Sequence, residues 1–156
     1  MNKIILQFST QKNIGSKILH VFDHIWCSHV DAVLPEGGLL GAKWHGGVTI
    51  RPNKGFVKKL VVELPTTAEI ETRFYDFLKL QLGKPYDWQG ILAFVVDRHW
   101  DEDDSWFCSE LIGAALQYSG FLPYKLFSTA NKITPQDLMV MCNMFVEIGE
   151  PIHEVA

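Results

Sequence analysis

The chain has 156 residues, 47% of them hydrophobic, which is enough for one buried core in a single domain. Its formal net charge of −4 argues against nucleic-acid binding, because nucleic-acid-binding domains normally carry a basic face. The three cysteines have no paired spacing and indicate free thiols in a reducing compartment. The N-terminus lacks the apolar region of a signal peptide, and no apolar run approaches the ~20 residues that span a bilayer. We therefore expect one cytoplasmic domain, residues 1–156, with no transmembrane segment and no nucleic-acid partner.

The first half of the chain predicts mostly β-structure. Residues 13–24 are the exception, since their apolar positions recur at helical spacing. The turn at 35–38, Pro-Glu-Gly-Gly, should join two antiparallel strands into a hairpin. The predicted strands cover residues 3–8, 28–34, 39–44, 48–50 and 57–64.

The second half of the chain predicts mostly helices. Residues 66–69, Thr-Thr-Ala-Glu, resemble the capping box of a helix that Gly83 and Pro85 end. Thr134 and Pro135 are typical of the cap and the first position of another helix. The first predicted helix follows the capping box and ends at residue 82. Further helices are predicted at 88–97, at 108–120 and from 135 onward. A short strand is expected at 144–148. The fold class is α+β, with an antiparallel sheet packed against several helices.

A cysteine at the start of a predicted helix is the first functional signal. Cys108 lies in the first turn of the segment Trp106–Leu116, where the positive end of the helix dipole favours a thiolate. A thiolate attacks carbonyl carbon atoms, so this position suits the nucleophile of a cysteine hydrolase. The alternative is a small buried core residue, because Leu111, Ile112 and Ala115 share its helix face.

A histidine on a predicted strand is the candidate base. His29 lies on the strand at 28–34, and Asp31 is two residues on, hence on the same strand face. A base of this kind needs a third group that orients its ring. Asp31 is one candidate for that group, and His45, just past the returning strand, is the other.

A metal site is an alternative use of the same histidine. His20 and His24 are four residues apart on one predicted helix face, and Cys27 and His29 follow closely. All four are residue types that bind zinc. No second cluster of ligands supports such a site, so we expect neither a metal nor another cofactor.

Three short segments in a fixed order resemble a known family. They are Ser28–Asp31, Gly83–Trp88 and Trp106–Leu111. With the histidine strand ahead of the cysteine helix, they resemble the circularly permuted papain-like cysteine hydrolases related to the NlpC-type cell-wall peptidases, in their YiiX-like, phage-type branch. The resemblance spans about Ser28 to Leu138. It implies a permuted papain-like domain from a bacterial or phage-associated protein.

The resemblance also implies roles for individual residues. Cys108 is the implied nucleophile and His29 the implied general base, while Tyr86 matches a tyrosine that holds the oxyanion or substrate. Many members carry a polar orienting residue near the position of Gly41, which leaves Asp31 as the candidate substitute. The implied reaction is acyl transfer from an amide or peptide, with peptidoglycan stem peptides as the expected substrate.

Two other functions use the same scaffold. Lipid acyl hydrolases and acyltransferases share the cysteine–histidine dyad, and an apolar set in the second half could line an acyl groove: Ile91, Leu92, Phe94 and Val95. A papain-like domain can also be a noncatalytic binding or structural module, for instance in a virion. The presence of both Cys108 and His29 argues against complete loss of chemistry.

Overall fold

The computed structural model of the protein describes residues 1–11, 27, 29–43, 46–84, 106–122, 133 and 135–146. Several predictions fall outside these residues: the helices at 13–24 and 88–97, the apolar set at 91–95, His20, His24, His45 and Tyr86. The described residues form five strands and three helices, so the α+β class is confirmed. Among them, no helix combines the length and apolar character needed to cross a bilayer.

A five-stranded antiparallel sheet forms the centre of the described fold, with strand order β4-β3-β2-β1-β5. The strands are β1 (Lys3–Gln11), β2 (His29–Val33), β3 (Leu39–Lys43), β4 (Gly47–Arg51) and β5 (Phe56–Pro65). The predicted hairpin is confirmed, with Ala32 of β2 opposite Leu40 of β3. The first strand extends past residue 8 to Gln11, because β5 pairs with it as far as that residue.

Three helices complete the described fold: α1 (Ala68–Leu80), α2 (Trp106–Ser119) and α3 (Pro135–Asn143). Pro135 occupies the first helical position of α3, as predicted. Gly120 follows α2 with a φ of 85°, the left-handed conformation that glycine adopts readily after a helix. Cys108 is the third residue of α2, which confirms its predicted place in the first turn.

The N-cap of α1 differs from the predicted one. The capping-box spacing from Thr66 to Glu69 would make Thr66 the cap, but the hydroxyl of Thr67 accepts from the N–H of Ile70 at 3.3 Å. The N–H of Thr66 instead donates to the carbonyl of Asn2 at 2.9 Å, which ties this residue to the N-terminus of the chain. The helix therefore begins one residue later than the sequence signature indicates.

The predicted strand at 144–148 is wrong over its described part. The N–H of Met144 donates to the carbonyl of Met141 at 3.2 Å, and that of Phe145 to Cys142 at 3.0 Å. These hydrogen bonds reach back three residues, so the chain continues in tight turns after α3 instead of extending. Residues 147 and 148 lie outside the described part.

The core lies between the apolar face of the sheet and the helices. Alternate residues of β1 are fully buried there, as are side chains from α1 and α2; the set includes Ile4, Leu6, Phe8, Phe74, Leu78, Leu111 and Leu116. Tyr75 of α1 joins the two layers, because its hydroxyl donates to the carbonyl of Val33 at 2.8 Å. The same oxygen accepts from the N–H of Ile5 at 3.3 Å.

The sheet curls so that its two edge strands approach each other. Residues 52–55 alone connect β4 to β5, and the five steps from Arg51 to Phe56 span at most ~18 Å. In a flat sheet these edges would be about 19 Å apart. The side chain of Asn53 reaches β1, where its Nδ2 donates to Oε1 of Gln7 at 2.7 Å. Because Gln7 pairs with Asp31 in the register, both lie on the concave face.

Replacing Thr67 with Ala should lower the free energy of unfolding by about 1 kcal/mol, because α1 loses its N-cap hydrogen bond. Thr66→Ala is the matched control. In the described part of the structure the buried hydroxyl of Thr66 has no hydrogen-bond partner, so its removal should cost less. Urea unfolding of both variants would measure the difference. A larger loss of unfolding free energy for Thr66→Ala than for Thr67→Ala would indicate that Thr66 is the N-cap residue.

Candidate active site

The structure brings three of the sequence-predicted site residues together: Cys108, His29 and Asp31. His29 and Asp31 project from the same face of β2, and the ring Nε2 lies 3.0 Å from Asp31 Oδ1. The side chain of His29 is 14% exposed and that of Asp31 is 0% exposed. A carboxylate held away from water in this way gives the imidazole a fixed hydrogen-bond partner. Asp31 therefore contacts the histidine, while His45, the other candidate for the orienting group, lies outside the described residues.

The imidazole of His29 also hydrogen-bonds with the thiol of Cys108 at the start of α2. Burial acts to lower the pKa of His29, but the charge on Cys108 and the hydrogen bonds with Asp31 and Cys108 outweigh it. Together with the charge of Asp31, they raise this pKa from 6.5 to about 10. His29 is therefore an imidazolium at neutral pH, which places a positive charge beside the sulfur of Cys108.

The two ring nitrogens of His29 have different partners. When the ring is an imidazolium, Nε2–H donates to Asp31 Oδ1 at 3.0 Å. Arg51 Nη2 lies 2.7 Å from the same nitrogen and can donate to it only in the tautomer that has no proton on Nε2. This leaves Nδ1 for the sulfur of Cys108, an assignment that follows from the hydrogen-bond network. The histidine thus lies between a thiol and a carboxylate, which is the geometry that activates a cysteine nucleophile.

Gly41 on β3 makes room for the Asp31 carboxylate. A Cβ atom at position 41 would overlap Asp31 Oδ1 and lie 3.1 Å from Asp31 Cγ. The missing side chain on one strand therefore allows the acidic side chain of the next strand to occupy that space. The polar group in the space above Gly41 therefore comes from Asp31 on β2.

Arg51 is the site residue that sequence reasoning missed. Its Nη2 lies 2.5 Å from Asp31 Oδ2 and 2.7 Å from Nε2 of His29. Arg51 ends β4, two strands away from β2, so no local spacing connects it with Asp31. One sequence feature could have indicated this residue: Arg51 follows the apolar strand 48–50, and the neighbouring strand contains a glycine.

A hydrogen bond anchors the first turn of α2 next to the nucleophile. The buried hydroxyl of Ser109 donates to the carbonyl of Ile133 at 2.6 Å. The first N–H groups of a helix have no acceptor within the helix. The N–H of Cys108 is therefore a suitable donor for a negatively charged oxygen that forms on a substrate.

The other two cysteines are buried thiols, and no disulfide joins any of the three. Burial first, and the charge on Cys108 second, raise the pKa of Cys27 to about 12. Burial raises the pKa of Cys142 to about 12 as well. Both thiols are therefore neutral at physiological pH. Among the described residues, no group of three or more His, Cys, Asp or Glu side chains is arranged to hold a metal ion.

Gly41→Ala should destabilise the protein by about 1–3 kcal/mol, because the new methyl group displaces the Asp31 carboxylate. The matched test is the same substitution in an Asp31→Ala background, where the space is open and the cost should shrink. Urea unfolding of the four proteins gives the coupling energy between the two positions. Strictly additive losses would contradict the proposed close approach.

Comparison with known proteins adds one likeness of fold. No family model matches the chain, and no curated protein matches its sequence. The chain is similar in structure to the metalloprotein YiiX from Escherichia coli O157:H7, with a TM-score of 0.53 and 22% sequence identity. The match covers 78% of this chain and 67% of that chain. At this level of identity the likeness shows a shared α+β fold alone.

Proposed function

We propose that the protein is a cysteine hydrolase of the amidase or peptidase type, built on a permuted papain-like domain. Cys108 is the nucleophile, His29 is the general acid and base, and Asp31 orients the imidazole. The single observation that carries this proposal is the position of the His29 ring between the thiol of Cys108 and the buried carboxylate of Asp31.

The first half of the reaction forms a thioester. The Cys108 thiolate attacks the carbonyl carbon of an amide, and the negative charge moves to the carbonyl oxygen. The N–H of Cys108 donates to that oxygen. His29 then transfers its Nδ1 proton to the leaving nitrogen as the carbon–nitrogen bond breaks. The amine departs and the acyl group remains on the sulfur.

The second half of the reaction returns the enzyme to its starting state. Neutral His29 removes a proton from water, and the resulting hydroxide attacks the thioester carbonyl. The carbon–sulfur bond breaks, the acid product leaves, and the thiolate–imidazolium pair is restored. Asp31 remains hydrogen-bonded to Nε2–H throughout, which keeps the ring directed at the reacting atoms.

The described donor atoms fit this chemistry better than they fit a resident metal. Among the residues that the structure describes, no group of three or more His, Cys, Asp or Glu side chains is arranged to hold a metal ion. Two of the four candidate ligands, His20 and His24, lie outside the described residues. The described part of the molecule thus supports acyl transfer through sulfur, although the YiiX structure is that of a metalloprotein.

Peptidoglycan stem peptides are the substrate class we propose. This choice rests on the resemblance to permuted NlpC-type peptidases carried by Ser28–Asp31, Gly83–Trp88 and Trp106–Leu111. The likeness of fold to YiiX is compatible with it. Tyr86 remains the proposed contact for the oxyanion or substrate.

Incubation with p-nitrophenyl acetate tests the reaction without knowledge of the natural substrate. The wild-type protein should release p-nitrophenol with turnover and carry a transient acetyl group on Cys108, located by peptide mass mapping. Cys108→Ala should show neither. Cys142→Ala is the matched control, because it removes another buried thiol and should retain both.

Two results would contradict the proposal. Equal p-nitrophenol release by wild type and Cys108→Ala would remove Cys108 as nucleophile. Absence of any acetyl-enzyme would favour a noncatalytic module. A murein tripeptide and a phosphatidylcholine vesicle then separate the substrate classes, since hydrolysis of the lipid alone would reassign the enzyme as a lipid acyl hydrolase.

A further inference from the structure

Arg51 reaches the Asp31 carboxylate from the edge of the sheet. Its partner in the register is Leu39 of β3, and Gly41 is two residues further along that strand. The absence of a side chain at Gly41 leaves room over β3 for the Asp31 carboxylate, which the guanidinium meets. Arg51 is only 12% exposed, and its Nη2 lies 2.5 Å from Asp31 Oδ2.

The Asp31 carboxylate therefore has a cation on each oxygen. Oδ1 accepts from His29 and Oδ2 accepts from Arg51. In the part of the chain that the structure describes, Nε and Nη1 of Arg51 make no hydrogen bond, so the guanidinium is held through Nη2, which lies 2.5 Å from Asp31 Oδ2 and 2.7 Å from His29 Nε2. Without Arg51, the buried negative charge would face His29 alone and would keep that ring protonated.

We propose that Arg51 is a positioning residue that acts through Asp31, balancing the buried carboxylate so that His29 can release its proton during acyl transfer. This inference rests on the proposed function and deepens it. A histidine that serves as both acid and base must change its protonation state twice in each turnover. The guanidinium also fixes the rotation of the carboxylate, so Oδ1 stays directed at Nε2.

Among the described residues, three ionisable side chains contact His29. They are Asp31 on its own strand, Arg51 from β4 and Cys108 from α2. The residue opposite His29 on β1 is Ser9, which does not titrate. Loss of Arg51 therefore leaves the negative charge of Asp31 without its guanidinium partner and stabilises the imidazolium.

This change should affect two rates differently. A stabilised imidazolium still supports a thiolate, so alkylation of Cys108 by iodoacetamide should remain within about threefold of wild type. Hydrolysis of the acetyl-enzyme needs neutral His29 as base, so it should slow by at least about tenfold, the effect of one pKa unit. A merely structural role for Arg51 would lower both rates together.

The experiment compares Arg51→Met, Arg51→Gln and Arg51→Lys with the wild type. After acetylation by p-nitrophenyl acetate, the decay of acetyl-Cys108 is followed by intact mass at pH 7. Arg51→Met and Arg51→Gln should accumulate acetyl-enzyme, and Arg51→Lys should recover most of the wild-type rate because it keeps the charge. Arg73→Met is the control, since Arg73 is exposed on α1 and pairs with Glu69.

Two outcomes would overturn the inference: unchanged acetyl-enzyme decay in Arg51→Gln, or a parallel loss of alkylation and decay in a variant that keeps the wild-type thermal midpoint. If Arg51→Met does not fold, Arg51→Gln replaces it.

Titration of His29 by ¹⁵N NMR is an independent test. The titration midpoint of His29 in Arg51→Gln should lie above the wild-type value. An equal or lower midpoint would contradict the proposal. That titration tests Arg51 even if the wild type forms no acetyl-enzyme, which would instead defeat the proposed function.

Discussion

The buried carboxylate of Asp31 is the constraint on which the arrangement of the site depends. An ionised carboxylate removed from water costs several kcal/mol unless charged and hydrogen-bonding partners compensate it. His29 supplies one partner and Arg51 the other, while Gly41 leaves the space that the carboxylate fills. A side chain at position 41 would occupy the space that the Asp31 carboxylate now fills. The curl of the sheet and the glycine on β3 therefore belong to the site as much as to the fold.

The histidine links Cys108, the proposed nucleophile, to this carboxylate. β2 supplies His29 at its first residue, and α2 supplies Cys108 in its first turn, so the two elements meet at their N-terminal ends. Burial raises the pKa values of Cys27 and Cys142 to about 12, which keeps those thiols neutral. What distinguishes Cys108 among three buried cysteines is thus its neighbour His29. In the proposed function, this single imidazole is what assigns the thiol chemistry to Cys108.

The features of the site that follow from local sequence patterns could be predicted from the sequence. Two-residue alternation places His29 and Asp31 on one face, and the helical segment Trp106–Leu116 places Cys108 in a first turn. Arg51 could not be found in this way, because its contact with Asp31 requires the pairing of β4 with β3 and the curl of the sheet. The cap at Thr67 was missed because the hydrogen bond from Thr66 to Asn2 is made with a distant part of the chain. The false strand after α3 arose from apolar residues, Met144 and Phe145, that are exposed in a turn.

The central claim is a thiolate–imidazolium pair between Cys108 and His29, and the pH dependence of iodoacetamide labelling at Cys108 tests it most directly. The raised pKa of His29, about 10, keeps the ring cationic across neutral pH and releases its proton only as the pH rises through that value. Wild-type protein should therefore be labelled rapidly well below pH ~8.5, the pKa of an ordinary cysteine. His29→Ala should lose this labelling at neutral pH. Slow labelling of Cys108 in both proteins would contradict the account and leave Cys108 as a residue of the core.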